Sequence, residues 1–179
     1  EGRWLGLHHG HHYWEFGGET TDTLLAKKLG APYLGTTAVT QLKFKDLKHS
    51  VGCQIWSTHG EGSGRTMAAP LNKLELQMGR WPTVDVFLIG HYSRKLGYPV
   101  DALVPVFGKH PRLVARRRIL AVTRGFVQGY VVGRKQHGRS EGTYIERAML
   151  PPTNIGGVVI YIRPVHTEHE DRLDLNIYT

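Results

Sequence analysis

The sequence predicts a single α/β domain, on three observations. The chain has 179 residues, which is a usual length for one domain and enough to bury a hydrophobic core. Its first half combines two segments of helical apolar spacing with segments of strand-like alternation. Its second half contains mainly strand patterns. We therefore expect residues 1–179 to form one domain, with mixed α/β structure first and mostly β structure after it.

Two helices are predicted, at residues 20–29 and 70–78. The first has threonine and aspartate side chains at its start that can cap a helix, and Gly30 follows its last apolar residue. The second has Pro70 in the first turn, where a helix tolerates proline. Both have apolar residues at helical spacing.

Strands are predicted at residues 3–7, 33–44, 51–58, 84–89, 116–126, 130–132, 157–162 and 173–178. The segment 84–89 is the most apolar of these. Cys53 lies inside a predicted strand and is expected to be a small buried hydrophobic residue. The four tryptophans are expected to pack in the core or in a substrate cleft: Trp4, Trp14, Trp56 and Trp81.

The composition limits the classes of function. Lys and Arg outnumber Asp and Glu by 23 to 15, so the surface attracts anions such as phosphoesters and nucleic acid. The alternative is a scattered cationic surface that only aids solubility. A single cysteine cannot form a disulfide within the chain, which favours a reducing, cytoplasmic location. No apolar run is long enough to span a membrane, and we expect sequence upstream of Glu1.

Three places combine a predicted strand with adjacent glycine and histidine residues. They are Gly10-His11-His12, His59-Gly60 and Gly90-His91. Ligand sites in α/β sheets lie at the carboxyl ends of strands, where loops from distant parts of the chain converge. Imidazole is a common ligand for Zn, Mn and Fe. A lone histidine at a strand end is more often structural, but the shared placement predicts one metal site.

Residues 60–64 form a glycine-rich loop that begins directly after His59. The backbone amides of Gly62 and Gly64 are predicted to bind a phosphate, with Arg65 pairing to it bidentately. The loop is not a Walker A motif, because no lysine follows the last glycine. The alternative is a flexible connection after a strand.

Arginines concentrate in residues 112–118, and further basic residues follow in 134–139. They could follow a nucleic-acid backbone. The commoner alternatives are a solvated face or protection of an edge strand against aggregation.

These motifs resemble those of the calcineurin-like metallophosphoesterases. That family has, in chain order, Asp-x-His, Gly-Asp, Gly-Asn-His-(Glu/Asp), a lone His and Gly-His-x-His. The last three are resembled here by Gly10-His11-His12-Tyr13, His59-Gly60 and Gly90-His91-Tyr92-Ser93. Residues 59–73 resemble the glycine-rich loop and helix of a bacterial and phage branch, and residues 144–158 resemble its closing strands. The resemblance covers nearly the whole chain and is strongest at residues 56–95.

The resemblance implies an α/β/β/α metallophosphoesterase-like sandwich that is incomplete at its N-terminal end. It also implies a metal-dependent hydrolase of phosphomonoesters or phosphodiesters that uses a metal-activated water. By the same resemblance, His11, His59 and His91 are metal ligands. His12 takes the catalytic position that stabilises the leaving group or the phosphoryl oxygens.

The sequence departs from the family pattern in ways that weaken the expected activity. Asp-x-His and the bridging Asp are missing, and Ser93 stands where the last histidine is expected. We therefore expect at most one divalent ion, Mn, Zn or Fe, and an impaired enzyme. Two alternatives stay open. One is a non-catalytic basic relative that binds nucleic acid or protein, with a structural or vestigial metal site, and the other is a truncated product without independent function.

Overall fold

The computed structural model describes residues 3–46, 48–62, 64, 66–107, 110–125, 128–133, 144–152, 155–168 and 170–179. The elements in chain order are β1 (Glu15–Phe16), β2 (Glu19–Thr20), α1 (Thr21–Leu29), β3 (Thr37–Lys45), β4 (Ser50–Thr58), α2 (Ala68–Arg80), β5 (Val86–Tyr92), β6 (Leu96–Val106), β7 (Arg112–Arg124), α3 (Tyr144–Arg147), β8 (Val159–His166) and β9 (Asp171–Tyr178).

A mixed five-stranded sheet with the order β3-β4-β5-β7-β6 forms the centre of the molecule. The three inner strands β4, β5 and β7 are parallel, and each edge strand is antiparallel to its neighbour. Helix α2 connects β4 to β5, as parallel strands require a crossover. The predicted α/β character is confirmed at this level.

Each face of the central sheet is covered by a different element. On one face, Leu74 of α2 is fully buried and packs with Trp56, Phe87 and Leu120. On the other face, the two-stranded sheet of β8 and β9 places Leu175 against Cys53, Ile55, Val86 and Ile119. The sheet therefore separates a helix layer from a β layer. Burial of each large side chain contributes about 1.5–3 kcal/mol.

Helix α1 begins and ends as the sequence predicts. Thr20 and Thr23 form a reciprocal capping box, in which each backbone N–H donates to the other residue's hydroxyl, at 2.9 and 3.2 Å. Gly30 ends the helix in the left-handed conformation, with φ of 62°. The helices predicted at residues 20–29 and 70–78 are confirmed as α1 and α2.

Several strand predictions are confirmed and others are wrong. The segments 33–44, 51–58, 84–89, 116–126, 157–162 and 173–178 correspond to β3, β4, β5, β7, β8 and β9, with shifted ends. Residues 3–7 do not form a strand, and only Leu7 makes an isolated bridge, to Tyr33. Residues 130–132 contain a bend and the start of a turn, and residues 144–147 form the short helix α3 where the resemblance implies a strand.

Strand β6 was not predicted, because Pro99 and Pro105 interrupt the strand pattern. It lies at the edge of the sheet, paired only to β7. Proline has no N–H to donate and is tolerated at such an edge. The tryptophan prediction holds for Trp56, which is buried, but is wrong for Trp4, Trp14 and Trp81, which are 55%, 76% and 47% exposed. Among the described residues, no helix combines the length and apolar character needed to cross a bilayer.

Candidate metal centre

The imidazole rings of His11, His59 and His91 meet at one edge of the central sheet. The ring centroids of His11 and His91 are 4.1 Å apart, and His59 lies 5.2 Å from His11 and 5.0 Å from His91. These residues come from three separate stretches of chain. The three predicted ligand residues therefore lie close together, although among the described residues His11 follows no strand and His59 lies outside the set of ring nitrogens that could share one ion.

The parallel pairing of β4 and β5 brings His59 and His91 to the same edge. Thr58 is the partner of Ile89, and His59 follows Thr58 directly. The backbone N–H of His59 donates to the carbonyl of Thr36 at 3.1 Å, which fixes the residue beyond the strand end. Because parallel strands end at a common edge, both imidazoles emerge there.

The sequence predicted that His91 directly follows a strand, but His91 lies inside β5. The pairing of β5 with β7 is irregular between Ile89 and Tyr92. His91 itself has φ of 61°, a left-handed conformation that is uncommon for a residue with a side chain. Such backbone strain costs about 1–3 kcal/mol and clusters at functional sites.

Residues 7–9 are held against residues 32–35 by a series of hydrogen bonds. The backbone N–H groups of Leu7 and His9 donate to the carbonyls of Pro32 and Gly35, both at 2.8 Å. His8 bridges further, with one ring nitrogen 3.0 Å from the Gly35 carbonyl and the other 2.8 Å from the Ser57 hydroxyl. This anchored segment presents His11 and His12 to the other two histidines.

Asp22 adds a second anchor for this segment. From the sequence, Asp22 was predicted only as a possible cap of the helix. Its carboxylate accepts the backbone N–H of Gly10 at 2.7 Å and lies 3.6 Å from the Nδ1 of His9. Asp22 is in the first turn of α1, whose N-terminus attracts negative charge. The position of an acidic residue at a helix start was the available signal, but its partner is set by the tertiary structure.

Glycines of the loop after His59 allow the backbone to approach the imidazoles closely. A Cβ at Gly60 would lie 2.6 Å from the carbonyl oxygen of Gly90, and a Cβ at Gly62 would lie 2.1 Å from Cδ2 of His91. Both glycines have positive φ. The loop therefore borders the histidines at a distance that only glycine permits.

Phosphate binding by this loop stays a prediction. Gly62 and Gly64 have φ of 67° and 109°, and Gly64 packs so closely that a Cβ there would lie 2.4 Å from that of Ala69. Arg65 lies outside the described residues, as do Arg134, Lys135 and Arg139. Near the start of the loop, Lys73 donates to the Glu61 carboxylate at 3.3 Å.

His12 belongs to the same group of potential metal ligands. One ring nitrogen from each of His11, His12 and His91 lies within 4.8 Å of the other two. His59 is not in that set, but its Nε2 is buried and has no hydrogen-bond partner among the described residues. A buried polar atom without a partner is costly. No carboxylate of the described residues joins the set.

Burial and mutual repulsion keep two of these imidazoles neutral at pH 7. The pKa of His91 is lowered to about 4, first by burial and then by the neighbouring charges of His11, His59 and His12. The pKa of His59 is lowered by burial and by His11. Neutral imidazole is the form that coordinates a metal.

Comparisons with protein-family models, with curated proteins and with solved structures gave no match to this chain. The assignment of a function therefore depends on the geometry and chemistry of this site.

Proposed function

We propose that this chain is a metal-dependent phosphoester hydrolase that acts on a phosphomonoester or a phosphodiester. The observation that supports this most is the convergence of His11, His59 and His91, with ring centroids 4.1–5.2 Å apart, at the carboxyl edge of parallel strands. Sites of this kind place ligands and reacting groups on loops above a rigid sheet.

The residues present fit one divalent ion. Neutral imidazoles suit Zn, Mn and Fe, and the unpaired buried Nε2 of His59 is the type of atom that a metal satisfies. His11, His59 and His91 would hold the ion, and the exposed His12 lies beside them with its ring 4.2 Å from that of His11. The all-imidazole set offers no bridging carboxylate, so we propose a single ion.

An ion bound here would polarise a phosphoryl oxygen and lower the pKa of a bound water. Around it, His12 would donate a hydrogen bond or a proton to the leaving oxygen. The amides of Gly62 and Gly64, with Arg65, would bind phosphoryl oxygens. Without the charge of a second ion, we expect slow turnover.

The layered arrangement supports the finer proposal of an α/β/β/α sandwich. Helix α2 covers one face of the central sheet, and the hairpin of β8 and β9 covers the other. Three of the four layers of such a sandwich have counterparts in this arrangement. Completion of the fourth layer is part of the proposal.

The test uses the purified chain, stripped of metal with a chelator and then given Mn, Zn or Fe(II). Hydrolysis of p-nitrophenyl phosphate and bis(p-nitrophenyl) phosphate is measured with and without each metal. We expect activity only with added metal, and loss of that activity in His59→Ala. The exposed His110→Ala is the matched control. Absence of hydrolysis with all three metals, or equal activity in His59→Ala, would contradict the proposal.

A second candidate function is nucleic-acid binding without catalysis. The observation that favours it is the exposure of Arg112, Arg116 and Arg117 on β7, although Arg117 pairs with Asp101 at 3.3 Å. Backbone binding of this kind weakens steeply with salt. Salt-sensitive binding of an oligonucleotide that persists in His59→Ala, without hydrolysis of either ester, would select this candidate.

A further inference from the structure

A second group of metal-binding side chains lies at the opposite end of β4. His49 directly precedes this strand, whereas His59 directly follows it. Nine strand residues at about 3.3 Å each separate the two groups by roughly 25–30 Å. His49 meets His166, the last residue of β8, and Asp171, the first residue of β9. The two groups are therefore separate sites.

The two imidazoles converge on the carboxylate of Asp171. The Nδ1 of His166 is 2.9 Å from Oδ1 of Asp171, and the Nδ1 of His49 is 3.2 Å from the same oxygen. The two imidazole rings are 4.4 Å apart and inclined by only 30°. All three ligand atoms lie within 4.8 Å of one another. Two imidazole nitrogens and one carboxylate oxygen are thus close enough together to hold one ion.

Backbone hydrogen bonds hold His49, His166 and Asp171 in place. His166 and Asp171 are register partners in the β8–β9 hairpin. The turn between them is closed by the N–H of Thr167, which donates to the Glu170 carbonyl at 2.9 Å. On the other side, the N–H of Asp46 donates to the His49 carbonyl at 3.0 Å and fixes the connection before β4.

Ion pairing alone is a weak reason for this arrangement, because all three side chains are partly exposed and exposed pairs contribute little. The spacing also fits a metal. Donors bound at 2.0–2.1 Å to a tetrahedral ion lie about 3.3 Å apart, close to the 2.9–3.4 Å found between the imidazole nitrogens and the carboxylate.

We propose that His49, His166 and Asp171 bind one divalent transition-metal ion of the zinc class, with water in the remaining position. The ion would join the β3–β4 connection to the β8–β9 hairpin. That hairpin covers one face of the central sheet. The site therefore acts as a structural clip, and it is independent of the proposed hydrolase chemistry at the other end of β4.

The test disrupts the first group, which consists of His11, His59 and His91, and then measures zinc binding. In the double variant His11→Ala/His91→Ala of the full chain, isothermal titration with Zn²⁺ is expected to show one bound ion. Adding Asp171→Asn or His166→Gln is expected to weaken that binding by about 10–100-fold or more. His110→Ala in the same background is the matched control and is expected to bind as the double variant does.

The unaltered chain gives a second measurement that does not depend on the double variant folding. There, Asp171→Asn is expected to reduce the number of bound Zn²⁺ ions by one while hydrolysis of both esters is unchanged. In the double variant, saturating Zn²⁺ is expected to raise the thermal midpoint, since binding to the native state stabilises it. Zinc binding that Asp171→Asn and His166→Gln leave unchanged would overturn the proposal, whatever the hydrolysis assays show.

Discussion

Strand β4 has a histidine group at each end, and the two groups differ in how their charge is balanced. At its carboxyl end, His59 and His91 are partly buried among other imidazoles, which lowers the pKa of both. At its amino end, His49 and His166 share the carboxylate of Asp171, whose pKa is lowered by their hydrogen bonds. His59 and His91 are held neutral by burial and repulsion, whereas the second group provides its own negative charge.

Clusters of histidines can therefore suit different roles, depending on whether a carboxylate is part of the cluster. A set without a carboxylate, beside a glycine loop, leaves the charge of a bound ion available to a substrate. A set with its own carboxylate neutralises part of that charge, which suits a structural ion. The predictions below separate the two ends of β4.

The largest expected effect is the loss of metal-dependent hydrolysis in His59→Ala. We expect the rate to fall by more than about 100-fold, since even the loss of residues that only orient metal ligands costs about 10–100-fold. Initial rates with both nitrophenyl esters measure this. The corresponding change at the other end, His49→Ala, is expected to leave the rate unaltered, and equal losses in both variants would erase the distinction.

Gly62→Ala is expected to disturb the first group and not the second. The new Cβ would meet His91 at 2.1 Å and would occupy a left-handed backbone, so we expect a cost of at least about 2 kcal/mol in the free energy of unfolding. Gly17→Ala is a matched control, because its φ of 57° is similar and nothing lies within 4 Å of the added atom. Urea denaturation compares the two variants, and an equal cost would mean that contact with His91 is unimportant.

A smaller effect is expected from Thr20→Ala, which removes the cap of α1. Loss of such a cap costs about 0.5–2 kcal/mol. Because Asp22 in this helix holds the N–H of Gly10, we also expect weaker Zn²⁺ binding at the first group. Titration calorimetry measures the affinity. Thr167→Ala, in the turn of the second group, is the counterpart and is expected to leave the first group's affinity intact.

A difference in pH dependence between the two groups is also expected in the metal-free chain. The folded pKa of His91 is about 4, below its ordinary 6.5, so the unfolded state binds more protons between these values. Stability from this group is present above pH 6.5 and is lost as the pH falls towards 4. The lowered pKa of Asp171 acts only further down, below its ordinary value of 3.8.

Urea midpoints measured between pH 7 and pH 4 test this difference. His91→Asn removes the titrating ring and is expected to flatten the profile, since asparagine tolerates the left-handed backbone. Asp171→Asn is expected to leave the profile in this range largely unaltered. A profile that His91→Asn leaves as steep as in the unaltered chain would show that His91 is not held neutral.

Local sequence signals predicted the elements that position the first group. These signals are the caps of α1, the apolar runs of β4 and β5, and the glycines beside His59 and His91. Each depends only on residues that are close together in the sequence. The parallel register of β4 and β5 then brings His59 and His91 to one edge. The position of His11 depends instead on the hydrogen bonds of Leu7 and His9 to residues 32–35, which the sequence pattern does not predict. Strand β6 was missed because two prolines conceal an edge strand.

The second group could not be predicted from the sequence in the same way. His49 and Asp171 are 122 residues apart, and neither belongs to a glycine–histidine pair. They meet only because the β8–β9 hairpin packs across the face of the central sheet. The place of His12 among the potential metal ligands, and the contact of Asp22 with Gly10, likewise depend on tertiary packing.

The central claim is that His11, His59 and His91 hold one ion. Anomalous diffraction at the zinc edge, from crystals of the chain grown with Zn²⁺, tests it most directly. We predict an anomalous peak with ring nitrogens of these three residues at about 2.0–2.1 Å. Crystals in which zinc occupies the His49, His166 and Asp171 group but gives no peak among these three histidines would contradict the claim.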